Sequence, residues 1–142
     1  MQISAVRTIG FDAGHRVLGH ENKCGTFHGH RYTAEIYCTA FSGLDDLGRV
    51  IDFSVIKSKV GEWIDQNWDH TMLVFELDPD LENIKSCSGF KKPFVCDFNP
   101  TAENMASYLL NTVCPAVLAK TEVVAWKIRL WETPNCYVEV EL

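Results

Sequence analysis

Two long alternating stretches open the chain. In residues 3–15, Ile3, Ala5, Ile9, Phe11, Ala13 and His15 share one parity, with Arg7 the only charge among them. That period of two predicts a strand with His15 on its apolar side. Residues 28–41 repeat the pattern. Tyr32, Ala34, Ile36, Cys38 and Ala40 share the parity of His28 and His30, while Thr33, Glu35 and Thr39 lie opposite. A turn-rich segment, 42–48, follows. Phe53, Ile56, Val60, Trp63 and Ile64 then recur at helical spacing, which predicts a helix over 54–66 capped by Asp52 or Ser54. Residues 71–98 carry no sustained period. They hold a turn at Asp78-Pro79-Asp80, a short helix over 80–84 and the basic pair Lys91-Lys92. Asn99 as cap and Pro100 at the first helical position open a second helix. Its apolar face runs from Ala102 through Met105, Ala106, Leu109 and Leu110 to Val113, and Pro115 marks its end. A hairpin closes the chain. Val124, Trp126, Ile128, Leu130 and Glu132 alternate on one strand, Pro134-Asn135 turns, and Cys136, Val138, Val140 and Leu142 alternate on the other.

The predicted order is β-β-α-α-β-β. It implies an α+β layer pair: four antiparallel strands with two helices on one face, residues 1–142 forming one domain. Two open sheet edges in so small a sheet point to a homo-oligomer.

Composition narrows the function classes. The 142 residues carry a net charge of −6 and 46% hydrophobic content. That balance suits a globular domain and argues against nucleic acid as partner. No apolar run reaches the roughly 18 residues of a membrane helix, and the N-terminus lacks signal-peptide character, so the expected location is cytoplasmic. The six cysteines form no C-x-x-C pair and read as free thiols.

The chemistry-bearing residues cluster around Cys24-Gly25-Thr26-Phe27-His28-Gly29-His30. On a strand, His28 and His30 point to one side, and His15 supplies a third imidazole from a like-facing strand. Three such ligands with an open position suit Zn²⁺. An H-x-H pair alone equally describes two partly exposed strand histidines, and His20 competes with His15 as third ligand. Cys24, beside the metal and Lys23, reads as a thiolate base or nucleophile, as a fourth ligand, or as a structural thiol. Asp69-His70 has the form of a carboxylate-oriented acid/base pair, or of a helix C-terminal charge pair. Glu132 ends an otherwise apolar stripe. It either surfaces at the hairpin or anchors a ligand that offers two N–H groups.

Together Phe11-Asp12-Ala13-Gly14-His15-Arg16, Cys24 to His30, Asp69-His70, Pro100-Thr101-Ala102-Glu103-Asn104 and Glu132-Thr133 resemble, in order, the 6-pyruvoyl-tetrahydropterin synthase family. The resemblance implies the tunnelling fold, in which four-stranded sheets from three subunits close into a barrel and two trimers stack into a hexamer. It implies zinc on His15, His28 and His30, Cys24 as general base, and Asp69 and His70 as proton-transfer partners from a neighbouring subunit. It also implies a pterin triphosphate substrate gripped by Glu132, with backbone help near Thr101.

The four-residue step from Cys24 to His28 resembles the bacterial 6-carboxy-tetrahydropterin synthases of queuosine biosynthesis. That branch cleaves 7,8-dihydroneopterin triphosphate with loss of acetaldehyde and triphosphate. A pyruvoyl-forming enzyme and a non-catalytic zinc- or pterin-binding module are the alternatives. Lys23, Lys91, Lys92, Lys127 and Arg129 are the candidates for meeting the triphosphate. Three features depart from the family: Gly14 for a usual Ala, Val74 for a common Asn, and a long 71–98 segment.

Overall fold

The computed structural model describes residues 1–142. The first two strands, β1 (Ala5–His15) and β2 (His28–Ala40), pair antiparallel along their whole length. Their register sets Ala5 against Cys38 at one end and His15 against His28 at the other. Phe11, Tyr32, Ala34 and Ile36 are buried on the shared apolar face, as the alternation requires.

Helix α1 spans residues 53–67. It has α-helical ends at Phe53–Ile56 and Glu62–Asn67 and a wider π-helical stretch, Lys57–Gly61, between them. Asp52 caps it by accepting from the Ser54 N–H at 2.8 Å. Helix α3 spans residues 102–117 and is built the same way around a π-helical stretch, Leu109–Val113. Both helices cover one sheet face. Ile56, Val60 and Ile64 from α1 join Met105, Leu109 and Leu110 from α3 in one core with Phe11, Tyr32, Ile128 and Leu130.

Four expectations need correction. First, the sheet is mixed and six-stranded, in the order β4-β3-β1-β2-β5-β6. The 71–98 segment contributes β3 (Thr71–Phe75), the short helix α2 (Leu81–Ser86) and β4 (Phe94–Cys96). β3 lies parallel to β1 and β4 parallel to β3. Short apolar runs show no period of their own, and a strand of this kind is specified by its neighbour.

Second, strand β5 (Val123–Thr133) does not keep one parity. Val123 and Ala125 are buried before a bulge at Trp126, and Ile128 and Leu130 after it. One extra residue exchanges the faces. Trp126 therefore lies on the open face, against Tyr37. The closing strand β6 (Cys136–Glu141) pairs with β5 through a second irregularity between Trp131 and Thr133, which leaves Glu132 outside the ladder.

Third, Thr101 rather than Asn99 caps α3, its hydroxyl accepting from the Asn104 N–H at 3.2 Å. Asn99 instead bonds the backbone of Leu18 in both directions, at 2.9 and 3.0 Å. Fourth, α3 runs through Pro115, because Pro115 falls in the first turn after the π-helical stretch, where the missing N–H costs little.

No helix is long and apolar enough to cross a membrane. Trp68, fully buried, packs among Phe11, Trp63, Phe94 and Tyr108 and so fixes the chain immediately before Asp69.

The Asp78–Asp80 turn is tied to the end of β1 by Arg16, which donates from Nε to Asp78 at 2.8 Å and from Nη2 to both Asp78 and Asp80. Burial by itself would raise the Asp78 carboxyl. The Arg16 and Asp80 N–H bonds outweigh it and hold the group below its ordinary value. Asp78→Asn leaves a charged Arg16 poorly paired and is expected to cost about 2–4 kcal/mol. The measurement is the urea midpoint at unchanged slope. The stability carried by the ionised pair is present above the ordinary Asp value of 3.8 and lost as pH falls through the depressed one. The gap between variant and wild type therefore closes in acid. Equal midpoints at pH 7 would remove the pair from the account.

Candidate active site

The β1–β2 register builds the centre of the site. His15 and His28 are direct partners, and His30 sits opposite Ala13, whose small side chain leaves the face open. The three rings stand in a near-equilateral group, with centroids 4.7, 4.8 and 5.2 Å apart. Their nitrogens lie within 4.8 Å of one another.

Two rings have their orientation fixed from outside. His15 Nδ1–H donates to the Pro100 carbonyl at 2.6 Å, and His28 Nδ1–H to the Thr26 carbonyl at 2.6 Å. A carbonyl can only accept, so in both rings Nε2 is the nitrogen that carries the lone pair. His30 Nε2 is buried with no hydrogen-bond partner. Burial pushes His15 down to about 4, against the opposing Pro100 bond, and also lowers His30, against the opposing Glu132 carboxylate. Both are neutral donors at neutral pH. Three imidazoles around a point where one Nε2 lacks any partner fit a metal ion with an open position. The Tyr32 hydroxyl lies 3.3 Å from His15 and lines the floor of the group. Its burial, and then the Glu132 carboxylate, raise its pKa, so it stays protonated.

Glu132 owes its position to the second β5 bulge. Its carboxylate approaches His30 Nε2 at 3.7 Å and His15 Nε2 at 3.9 Å and is half-buried. Cys24 occupies a one-turn 3₁₀ segment, Lys23–Gly25, half-buried. Cys24, Thr101 and Glu132 line one cavity of about 420 Å³. The Thr101 hydroxyl in that wall is already committed to capping α3.

Asp69 and His70 stand elsewhere. His70 Nδ1–H donates to Asp69 at 2.9 Å, and the other Asp69 oxygen accepts from the Asp12 N–H at 2.9 Å. Burial would raise the Asp69 carboxyl, but these bonds keep it low. His70 adopts φ 57, an uncommon conformation for a non-glycine residue, with its own N–H on the Asp12 carbonyl at 2.6 Å. Its ring is exposed and lines a second cavity of about 420 Å³ with Arg31, Met72 and Lys91. Asp12 and Arg31 have the parity opposite to His15 and His30, so this cavity opens on the helix-free face. The sequence motifs thus divide between two cavities: Cys24 lines one with Glu132, which also approaches the histidines, and His70, bonded to Asp69, lines the other, which His30 also borders.

The basic candidates also sort. Lys127 is held by Glu139 at 2.9 Å and Arg129 by Glu139 at 2.6 Å, so both belong to the open-face charge ladder. Lys91 donates to the Asp69 carbonyl at 3.2 Å. Two departures gain reasons. A Cβ on Gly14 would fall 2.2 Å from the Met72 sulfur, and Val74 is buried against Leu81 and Ile84. Tyr32 shares the parity of His28 and His30, so its place beneath them was readable. The Pro100 and Thr26 carbonyls left no signal, because any residue supplies one.

A family profile for 6-pyruvoyl tetrahydropterin synthase matches residues 4–142. A 6-carboxy-5,6,7,8-tetrahydropterin synthase of Rickettsia felis is 44% identical over 97% of this chain and 99% of its own. One of the same name from Haemophilus influenzae is 28% identical over 95% of this chain and 96% of its own. The fold is similar to that of an uncharacterized protein from Wolinella succinogenes, with TM-score 0.84, 19% identity and coverage of 99% and 98% of the two chains. It is also similar to the Caenorhabditis elegans 6-pyruvoyl tetrahydropterin synthase, with TM-score 0.69, 22% identity and coverage of 100% and 96%.

A metal on the three imidazoles has a direct test. His30→Ala is expected to lower bound divalent metal from about one per chain to near zero by elemental analysis. In wild type, metal at about 100 times its Kd should add roughly 3 kcal/mol of stability. Full metal occupancy in the variant would place the ion elsewhere.

Proposed function

Since this chain belongs to the 6-pyruvoyl tetrahydropterin synthase family, we infer that it is a lyase of the 6-carboxy-5,6,7,8-tetrahydropterin synthase type. It converts 7,8-dihydroneopterin triphosphate to 6-carboxy-5,6,7,8-tetrahydropterin, acetaldehyde and triphosphate, a step toward queuosine. The observation that carries this reading is the near-full-length identity to the Rickettsia enzyme of that name. The likeness to pyruvoyl-forming structures speaks for the fold alone.

The geometry supports a division of labour. His15, His28 and His30 would hold zinc, which when bound supplies Lewis acidity to an oxygen of the substrate side chain. Glu132, re-aimed by its bulge, accepts from the amino and ring N–H groups of the pterin and keeps the ring edge beside the histidines. Cys24, in the same cavity, takes the proton from the reacting carbon as thiolate. Thr101 contributes backbone at the rim. His70, with Nδ1–H fixed on Asp69, offers Nε2 as the second acid/base group. Because His70 lines a different cavity from Cys24, it serves the Cys24 cavity of a neighbouring copy. That requires a homo-oligomer, a trimer or a pair of stacked trimers. The free outer edges of β6 and β4 suit such closure, as does β1, which β3 meets only at Ala13 and Gly14.

The reaction is tested by incubating the protein with 7,8-dihydroneopterin triphosphate. Acetaldehyde and 6-carboxytetrahydropterin are expected, whereas a three-carbon diketo side chain without acetaldehyde would overturn the assignment. Cys24→Ala should lower kcat about 10²–10⁴-fold with metal content unchanged. Loss of metal in that variant would make the thiol a ligand. Glu132→Ala should weaken pterin binding about 10–100-fold and leave metal in place. Normal affinity there would end its role as anchor.

A further inference from the structure

The loop between β1 and β2 brings a second imidazole into the Cys24 cavity. His20, a rival for the metal on sequence grounds, lies outside the group of three and instead lines this cavity with Cys24, Thr101 and Glu132. Its position is built rather than incidental. Val17 N–H donates to the Cys24 carbonyl at 2.9 Å and His20 N–H to the Val17 carbonyl at 3.1 Å, which closes the loop on itself. Gly25 lets the two strands of the loop meet, since a Cβ there would fall 2.8 Å from the His20 carbonyl oxygen.

The ring itself is oriented. Asn22 N–H donates to His20 Nδ1 at 2.9 Å. Nδ1 is therefore an acceptor, and the neutral ring carries its proton on Nε2. His20 is thus a fixed N–H donor, and no other side chain lining the cavity contains nitrogen. The remaining polar groups there are carboxylates, hydroxyls and thiols. Tyr137 is packed against Trp131 and Arg129.

We propose that His20 Nε2–H is the donor that completes recognition of the substrate ring, opposite in sense to Glu132. A 2-amino-4-oxo pterin presents N–H groups beside carbonyl and ring-nitrogen acceptors. Glu132 can satisfy only the first kind, His20 is the one side-chain N–H in the cavity for the second, and a buried acceptor left unpaired costs affinity. A site with both a carboxylate and an N–H donor distinguishes this ring from one lacking either group. His20 is a specificity-determining residue in this account, one that rests on the pterin reading above.

Two isosteric substitutions separate recognition from loop structure. His20→Asn keeps an acceptor where Nδ1 meets Asn22 and removes the Nε2 donor. His20→Gln keeps a donor at the Nε2 position and gives up the acceptor. Binding of neopterin, an oxidised pterin that does not turn over, is followed by its fluorescence, with metal content measured in parallel. The expected result is affinity about 10-fold weaker for His20→Asn and within about threefold of wild type for His20→Gln. Wild-type affinity in His20→Asn, or equal loss in both variants, would overturn the donor role while wild type still binds. Wild-type protein that binds no neopterin would overturn the pterin reading, and the role of His20 with it.

Discussion

The register of the β1–β2 ladder is the constraint on which the rest depends. Setting His15 against His28 places two imidazoles across one pair of strands, and the period of two puts His30 on the same side. A slip of one residue would send His28 and His30 to the open face and leave His15 among apolar side chains. The slip is opposed by the same face further along, where Phe11 stacks on Tyr32 and Ala34 and Ile36 are fully buried. The core and the candidate metal centre are thus one stripe. Hydrophobic burial holds the register, and the register sets the ligands.

Everything else at the site is delivered by irregularity. A β5 bulge turns Glu132 toward the histidines. A 3₁₀ turn holds Cys24, and the start of α3 presents the Pro100 carbonyl to His15. A left-handed residue, His70, sits where the chain leaves α1 for β3. Regular sheet and helix supply the rigid frame, and the departures from regularity aim the side chains. Asn99 shows how these departures are tied together, since its side chain joins the loop after His15 to the start of α3.

The two sheet faces are chemically distinct. The covered face ends in the imidazole group. The open face carries the ladder of Glu35, Lys127, Arg129 and Glu139, together with the Asp12–Asp69–His70 group. Lys127 and Arg129 are thus paired with carboxylates of the same face. Cys24 and His70 line different cavities of the chain, the first with Glu132 and the second with Arg31.

Alternation and helical spacing were enough to find four strands, both long helices, the like-facing histidines and Glu132 at the end of an apolar stripe, while Cys24 stood out by its residue type and its place before His28. These are patterns set by neighbours along the chain, and burial of one face makes them visible in the residue order. The β3 and β4 strands, the bulges, the Thr101 cap and the division of the motifs between two cavities were not visible. Each depends on what lies beside the segment in space. A five-residue apolar run becomes a parallel strand only when β1 offers an edge, and one extra residue at Trp126 reverses the facing of everything before it. His20 makes the same point at the level of a single ring. Its residue type suggested a ligand, and the Asn22 N–H, the Gly25 contact and the cavity it shares with Cys24 made it a donor instead.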